Sequence, residues 1–402
     1  MILPPAPWRT RPSLIRLVEV LGAAQGLSRF VGGAVRDTLL HLPVADLDLA
    51  TALEPDAVMA RLQAAQIKVI PTGLRHGTVT AVLSSGPVEV TTLRRDVATD
   101  GRHAVVVFTD DWRADAARRD FTINALSADP ITGEIFDYFD GLADLDAGHV
   151  RFIGEPLERI AEDHLRILRF FRFHARFGRG EPDPAGLAAC AARANDLMAL
   201  SRERIAQELL KLLAVADPGP TLAVMVDNGI LKPVLPEIDR GGVARLRRLV
   251  ARETSAGLAS PLRRLAALLP PDPALAENVA ARLKLSNAQR KRLALAVDPT
   301  APIAARPLAY AIGLESARDQ LLLRASDATL PEGMDSLRRW QPPRLPIGGG
   351  ELVKLGLRAG PVVAATLKAI ERRWIDEDFP DADRVQAIAL EEVDQAARLR
   401  QK

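Results

Sequence analysis

Strand-like segments are confined to the first part of this chain, whereas helix-forming segments rich in Leu, Ala and Arg fill the rest. Runs of alternating or β-branched residues predict strands at Ser28–Val31, Asp46–Ala50, Lys68–Ile70, Gly77–Leu83, Val88–Leu93 and Ala104–Phe108. Helical spacing predicts helices at residues 13–27, Ala34–Leu40 and Pro55–Ala65. From about Pro156 onward the strand signals largely vanish. The pattern therefore predicts an α/β head with a mixed sheet, followed by an all-α body and tail.

The length of the chain indicates more than one domain. Its 402 residues exceed the size at which a single hydrophobic core stops growing. We expect a head over residues 1–150, a helical neck over 151–215, and a helical body and tail over 216–402. A net charge of only +2 means that a polyanionic partner would have to meet a local basic face.

Cysteine usage and hydropathy exclude several classes of protein. The single cysteine, Cys190, rules out a disulfide within the chain and a Cys-based zinc site, and its Ala-rich surroundings predict a buried apolar role. The first residues lack the pattern of a signal peptide. No uncharged apolar run is as long as the about eighteen residues needed to span a bilayer. We therefore expect a cytoplasmic protein with no membrane partner.

Two carboxylates lie two residues apart in a predicted strand, at Asp46 and Asp48. Residues with this spacing project to the same face of a strand. Two like charges held close together need a cation, and oxygen-only ligands suit Mg²⁺, which in pairs can activate a hydroxyl and stabilise a leaving phosphate. A solvated strand of alternating residues gives the same string and remains the alternative.

A glycine pair precedes these aspartates. Gly32 and Gly33 lie between a predicted strand and a predicted helix, where glycine lets backbone N–H groups approach a phosphate and Arg36 can add a positive charge. An ordinary turn with a solvated Arg36 is the alternative. Glu89 alternates with Val88 and Val90, so it faces either solvent or the cleft.

Several strings, in this order along the chain, carry a resemblance to a known family. They are Phe30–Asp37, Asp46–Asp48, Arg75–Thr78, Glu89–Thr92, Arg118–Ala125, Glu162–Arg166, and Glu203-Arg204 with Glu208. Together they resemble the polymerase-β-like nucleotidyltransferase signature of the class II CCA-adding enzymes and bacterial poly(A) polymerases, over roughly residues 28–213. The resemblance implies that Asp46 and Asp48 bind catalytic Mg²⁺, with Mn²⁺ as an alternative, and that Glu89 is a further catalytic acid.

Residues Glu158–Phe177 form a predicted helix with a slanted charged ridge. Acidic and basic residues recur at steps of three or four, with Leu and Phe between them, at Asp163, Arg166, Arg169, Arg172 and Arg176. Because a solvated helix would be polar all round, this pattern indicates a buried helix whose arginines face something anionic or planar. Structural ion pairs are the alternative.

The resemblance also implies how the base is chosen. In class II enzymes an Asp and an Arg three residues apart read the base edge, and Asp163 and Arg166 match them. Cytosine and adenine each present an amino donor beside a ring-nitrogen acceptor, so one carboxylate and one guanidinium satisfy either base and refuse guanine and uracil. Arg119, Arg169 and Arg172 match further nucleotide-binding positions.

Further expectations from the same resemblance concern neighbouring groups. We expect Asp120 to hold the arginines beside it and Asn124 to bond the sugar. Residues Asp96–Asp111 suit a mobile loop that acts when the enzyme switches from C to A, with a plain surface loop as the alternative. The helical remainder is expected to bind tRNA phosphates through its arginines, although solvated helix faces explain the same composition.

The predicted function is template-independent addition of C, C and A to tRNA from CTP and ATP. The tRNA 3′-hydroxyl would attack the α-phosphate in line and release pyrophosphate. A poly(A) polymerase, a C-only or A-only enzyme, and a non-catalytic RNA-binding relative are the alternatives. An HD-type phosphohydrolase is rejected, because Asp163-His164 has the reversed order and the six histidines are scattered.

Overall fold

The computed structural model describes residues 1–100, 103–301 and 304–398, and these form two compact units, Met1–Arg240 and Gly241–Lys402. Both predicted functional limits, at residues 150 and 215, lie inside the first unit, so the three-segment division stays a prediction. Among the residues that the structure describes, no helix is both long enough and apolar enough to cross a bilayer.

The first unit contains a mixed seven-stranded sheet. Its strands are β1 (Ser28–Val31), β2 (Asp48–Thr51), β3 (Lys68–Gly73), β4 (Thr78–Leu83), β5 (Gly86–Thr92), β8 (Ser127–Ala128) and β9 (Ile135–Phe136). The order is β3-β4-β5-β2-β1-β8-β9, and the β2–β5 pair is parallel while the other neighbours are antiparallel. The parallel register places Asp48 beside Glu89.

A separate ribbon joins this sheet to the helices that follow. Strands β6 (Arg94–Asp100) and β7 (His103–Phe108) pair antiparallel. The segment Asp96–Asp111, which was expected to be a loop, therefore consists largely of two paired strands. Residues 101–102, between these strands, lie outside the described part of the chain. The predicted strand at Ala104–Phe108 is confirmed.

Helices make up the remainder of both units. In the first unit they are α1 (Pro12–Val20), α2 (Gly33–Leu39), α3 (Pro55–Ala64), α4 (Trp112–Ala117), α5 (Gly141–Ala147), α6 (Pro156–Glu162), α7 (Arg166–Phe177), α8 (Pro184–Ala192), α9 (Arg202–Leu213) and α10 (Gly219–Asp227). From the boundary onward they are α11 (Arg240–Ala256), α12 (Pro261–Leu268), α13 (Pro273–Arg282), α14 (Asn287–Val297), α15 (Ala305–Ile312), α16 (Leu314–Arg324), α17 (Leu330–Ser336), α18 (Gly349–Lys354), α19 (Pro361–Asp376) and α20 (Ala382–Arg398). The expected α/β head and all-α remainder are confirmed over the described residues.

Two helix predictions were wrong in extent. The helix expected over residues 13–27 ends at Val20, because Gly22 adopts φ 75 and turns the chain. The helix expected over Glu158–Phe177 is broken at Asp163, whose backbone is extended (φ −152). The Asp163 carboxylate accepts the backbone N–H of Leu165 at 3.1 Å, a local bond that competes with helical pairing.

Aromatic packing fixes α7 to the head. Phe170 and Phe173 on α7 are buried against Phe121 and Phe152, with ring centroids 5.4 Å apart for Phe152–Phe170 and 5.3 Å for Phe121–Phe173. Burying side chains of this size stabilises the fold by about 1.5–3 kcal/mol each. The arginines of α7 are therefore carried on a rigid support.

Candidate active site

A polar cleft of about 570 Å³ opens in the first unit. It is lined by Gly32, Gly33, Arg36, Asp46, Asp48, Arg118, Arg119, Asp120, Asn124, Asp163, Arg166, Arg169, Arg172 and Phe173. Every site residue predicted from the sequence is in this lining except Glu89, which pairs in register with Asp48 at its edge. Residues from segments far apart in the chain thus meet in one place.

Three carboxylates lie near the parallel pairing of β2 with β5, close enough for the charges of Glu89 and Asp46 to act on Asp48. Asp46 precedes β2 and is exposed, Asp48 begins it and is half-buried, and Glu89 is exposed beside it on β5. Burial and then the charge of Glu89 raise the pKa of Asp48 above its ordinary value, Asp46 adds to the rise, and Arg119 opposes it. A bound cation would relieve both the burial cost and the repulsion among these carboxylates.

The donor set fits a divalent metal of the Mg²⁺ type. Within the described residues, no group of three or more His, Cys, Asp or Glu side chains is arranged to hold an ion by itself. Mg²⁺ does not need such a cage, because it keeps several waters and binds through one or two carboxylates together with substrate phosphates. Asp46 and Asp48 supply two oxygen ligands of this kind.

The glycine turn lies against the arginines of the cleft. Gly32 adopts φ 64 and ψ −123, and its N–H donates to the carbonyl of Leu126 at 3.0 Å. A Cβ at Gly32 would lie 3.2 Å from Nη1 of Arg119 and would also be strained by the positive φ. Glycine is thus required here both by the backbone conformation and by close approach.

Arg36 is more firmly held than the sequence suggested. Its Nε and Nη2 donate to Oδ1 of Asp37 at 2.8 and 2.6 Å, and its Nη1 donates to Oδ1 of Asn124. The guanidinium also lies over the ring of Phe177, 4.3 Å from the centroid. Burial lowers the pKa of Arg36, and Asp37 opposes this shift.

One buried carboxylate holds two arginines of the cleft. Asp115 on α4 accepts from Nε of Arg118 at 2.9 Å, from Nη2 of Arg119 at 3.2 Å, and from the backbone N–H of Arg94 at 3.3 Å. Burial alone would raise the pKa of Asp115, but Arg118 and Arg119 hold it below its ordinary value. The sequence interpretation missed Asp115, although its spacing of three and four residues from the two arginines is a readable signal.

Asp120 binds a different arginine from those expected. Its neighbours Arg118 and Arg119 pair with Asp115, whereas Asp120 accepts from Arg169 on α7, at 2.7 Å from Nε and 2.5 Å from Nη2. Asp120 also accepts from Nδ2 of Asn124 at 3.0 Å. Burial lowers the pKa of Arg169, but Asp120 more than offsets this, so the net shift is upward.

The pair expected to read the base lies on both sides of the break between α6 and α7. Oδ2 of Asp163 accepts from Nη2 of Arg204 on α9 at 2.8 Å. Arg166 donates from Nη1 to Glu162 at 2.5 Å and from Nη2 to the carbonyl of Arg118 at 3.0 Å. Each side chain is therefore anchored on its own partners.

A second residue of α9 supports α7 in the same way. The buried Glu208 accepts from Nε of Arg172 at 2.6 Å, and the Arg172 guanidinium lies 4.2 Å from the ring centroid of Phe173. In the sequence, Arg204 and Glu208 are recognisable only as parts of a matching string, with no role assigned to them. No spacing signal reveals these contacts, since Arg204 and Asp163 are 41 residues apart.

Two family models match the first unit. The model described as "Poly A polymerase head domain" matches residues 28–151, and the model described as "Probable RNA and SrmB- binding site of polymerase A" matches residues 181–241. The first match contains the glycine turn, the three carboxylates and Asp120. The second contains all of α8, α9 and α10.

Relatives match over most of their length. The chain is 36% identical to the mitochondrial CCA tRNA nucleotidyltransferase 1 of Danio rerio, over 90% of this chain and 86% of the relative. It is 32% identical to a CCA-adding enzyme of Lacticaseibacillus paracasei, over 91% of this chain and 92% of the relative. The crystal structure of the Bacillus stearothermophilus CCA-adding enzyme in complex with CTP has a TM-score of 0.77 and 28% identity, and covers 97% of this chain and 100% of its own.

Proposed function

The chain belongs to the family of CCA-adding tRNA nucleotidyltransferases, and from this premise we propose that its cleft adds C, C and A to the 3′ end of tRNA from CTP and ATP. The observation that carries the proposal is the meeting of Asp46 and Asp48 with Asp163 and Arg166 in one cleft. The first pair suits phosphoryl chemistry, and the second suits selection of a base.

We assign the metal site to Asp46 and Asp48, with Glu89 as a further acid beside them. Mg²⁺ bound there would lower the pKa of the attacking hydroxyl and neutralise charge on the transferring phosphate. The protein itself contributes position. The parallel pairing of β2 with β5 keeps the carboxylates together, and Arg119 lies where it can meet a triphosphate beside the glycine turn.

We assign base selection to Asp163 and Arg166. Arg204 donates to Oδ2 of Asp163, whereas Oδ1 accepts the backbone N–H of Leu165. Glu162 accepts from Arg166. A carboxylate acceptor and a guanidinium donor fixed in this way complement the edges of cytosine and adenine and oppose those of guanine and uracil. Arg169 and Arg172 complete the cationic side of the nucleotide site.

We assign tRNA binding to the helical remainder, through arginines that contact phosphates. Location in the cytoplasm stays a prediction, since the matched relatives include mitochondrial as well as bacterial proteins.

The test uses three tRNA transcripts, which end before CCA, after C and after CC. Each is incubated with the purified protein and Mg²⁺ or Mn²⁺, with single nucleotides and with CTP and ATP together. Completion of all three to CCA followed by arrest, lost in Asp46→Ala and Asp48→Ala, is expected. Asp56→Ala, an exposed aspartate on α3, is the matched control.

Other outcomes identify the alternatives. Long A tails without a need for CTP would make the protein a poly(A) polymerase, and extension of one transcript class would make it a C-only or A-only enzyme. No incorporation under any condition would overturn the proposal in favour of an RNA-binding relative.

A further inference from the structure

Asn124 lies at the end of a short 3-10 turn, Thr122–Asn124, and is 8% exposed. Its Nδ2 donates to Oδ1 of Asp120 at 3.0 Å, and its Oδ1 accepts from Nη1 of Arg36. An amide has one donating and one accepting side, so a carboxylate on one side and a guanidinium on the other fix its orientation. Both sides of this side chain are thus directed at neighbours within the cleft.

These two bonds belong to a ring that consists of bonded side chains and is closed by the backbone of α7. On one side Asp120 accepts from Arg169; on the other, Arg36 donates to Asp37, and Oδ2 of Asp37 accepts from Nη2 of Arg176 at 3.4 Å. Arg169 and Arg176 are both on α7, seven residues apart, which is two turns along the same face. The ring runs Arg169, Asp120, Asn124, Arg36, Asp37 and Arg176.

The ring joins the two halves of the nucleotide site. Arg36 is on α2, immediately after the glycine turn, whereas Arg169 is on α7, one turn beyond Arg166. Each is held by its own carboxylate, Asp37 or Asp120, and the amide of Asn124 links the two ion pairs. Hydrogen bonds within such a network strengthen one another, so the loss of one bond weakens its neighbours.

We propose that Asn124 is a positioning residue that fixes Arg36 and Arg169 relative to one another, so that phosphate contacts and base selection share one geometry. This inference rests on the proposed function. It replaces the expectation that Asn124 bonds the sugar, because the amide is already oriented by two partners of opposite charge.

The test is a double-mutant cycle on Arg36 and Arg169, measured in two backgrounds. Arg36→Lys, Arg169→Lys and the double variant are compared for kcat/KM of C addition to the tRNA transcript that ends before CCA. In the parent, the fold-decrease in kcat/KM of the double variant is expected to differ by about five-fold or more from the product of the two single-variant fold-decreases. In the Asn124→Ala background, the fold-decrease of the double variant is expected to equal the product of the two single-variant fold-decreases, because the coupling is lost.

Two measurements accompany the cycle. Thermal unfolding checks that each variant is folded, and Asn124→Asp, which keeps an acceptor for Arg36 but removes the donor to Asp120, replaces Asn124→Ala if the latter does not fold. Asn228 is an exposed asparagine at the C-terminal end of α10, and Asn228→Ala is the control background in which the coupling should persist.

Losses that already multiply in the parent, or a coupling that survives loss of the Asn124 amide, would overturn the proposal. A change in the ratio of CTP to 2′-deoxy-CTP use in Asn124→Ala, with the coupling intact, would instead make Asn124 a sugar ligand. A parent protein that adds neither C nor A would be a failure of the proposed function, and it is recognised before any variant is compared.

Discussion

At the scale of single residues, two side chains of α9 hold groups that line the cleft. Arg204 donates to the carboxylate of Asp163, and Glu208 accepts from Arg172. Tertiary packing alone brings α9 against α7, so the spacing of these residues in the sequence does not reveal their contacts. The positive φ of Gly32 is another feature that only the folded backbone displays.

Gly32→Ala should abolish most activity while leaving the protein folded. The strained backbone should cost about 1–3 kcal/mol of stability, and displacement of Arg119 by the new methyl group should lower kcat/KM on the order of 100-fold. Single-turnover C addition and thermal unfolding measure the two effects. Gly26→Ala is the control, because Gly26 also has positive φ but has nothing within 4 Å of the added Cβ. Equal activity in both variants would contradict the assigned close approach.

Asp120→Asn should destabilise the protein near neutral pH but not in acid. Burial alone would raise the pKa of Asp120, but Arg169 and Asn124 hold it below its ordinary value. A folded pKa below the unfolded value of about 3.9 gives stability that is present above that value and is lost as the pH falls through the folded pKa.

The difference in unfolding free energy between parent and Asp120→Asn should therefore be about 1–3 kcal/mol at neutral pH and should shrink in acid. Urea unfolding over a series of pH values measures it, with Asp56→Asn as an exposed control. A difference that stays constant down to acid pH would show that Asp120 stabilises the fold through contacts other than its charge.

At the scale of elements, most strands and helices of the head were predictable, and the failures have physical causes. The pattern for β1 agrees with the structure at both ends, and α3 ends one residue early. β8 and β9 have two residues each, too few to show a period, and the charged sequence of β6 hides its pairing. The break at Asp163 was missed because helical spacing continues on both sides of it.

Arg204→Gln should reduce the selectivity for bases more than the rate. Without its partner on α9, the Asp163 carboxylate is held only by the backbone N–H of Leu165 among the contacts described above. Its orientation is then less fixed, so incorporation of UTP or GTP relative to CTP should rise about ten-fold. Misincorporation into the transcript that ends before CCA measures the effect. Arg202→Gln, two residues earlier on the same helix, is the matched control. Unchanged selectivity in Arg204→Gln would show that the contact of Arg204 with Asp163 does not contribute to selection of the base.

In the second unit, a buried group of charges links three helices. Glu253 on α11 accepts from Nη1 of Arg263 at 2.7 Å and from Nε of Arg264 at 2.6 Å, and Arg263 also donates from Nε to Asp319 on α16 at 2.7 Å. These four side chains are almost fully buried. Removing one partner from such a group leaves an uncompensated charge in the interior.

Glu253→Gln should therefore lower the unfolding free energy of the second unit by about 3–5 kcal/mol. Glu315→Gln removes a carboxylate that is exposed in its pair with Arg292, and should change stability by about 1 kcal/mol or less. Urea unfolding of the whole chain compares the two. Similar losses would mean that burial does not set the strength of these pairs.

At the scale of the whole molecule, the sequence correctly separated an α/β head from a helical remainder, because the strand signal disappears near Pro156. It did not predict where the two compact units divide, at Arg240 and Gly241. That boundary lies at the start of α11, directly after a non-helical segment that contains Pro233 and Pro236. Similar proline-containing breaks recur through the helical remainder, so this one does not stand out in the sequence as a domain boundary. The predicted buried role of Cys190 is confirmed, since its side chain is fully buried.

Cys190 provides a probe of opening in the first unit. Burial raises the pKa of its thiol well above the ordinary value, so both access and thiolate formation oppose reaction. Alkylation should be undetectable in native buffer and should follow the loss of helical circular dichroism in urea. Because the chain has one cysteine, the labelled fraction of the protein measures how often the structure around α8 opens. Rapid labelling in native buffer would reveal local opening of that helix.

The parallel pairing of β2 with β5 has a consequence for synthesis on the ribosome. Parallel neighbours cannot be joined by a tight turn, and here α3, β3 and β4 intervene between Asp48 and Glu89. The acidic edge therefore cannot assemble until β5 has left the exit tunnel, and the supports of α7 arrive only with Glu208. During synthesis, Asp46 and Asp48 therefore emerge long before the nucleotide-selecting part of the cleft is complete. Catalytic competence is acquired late in translation.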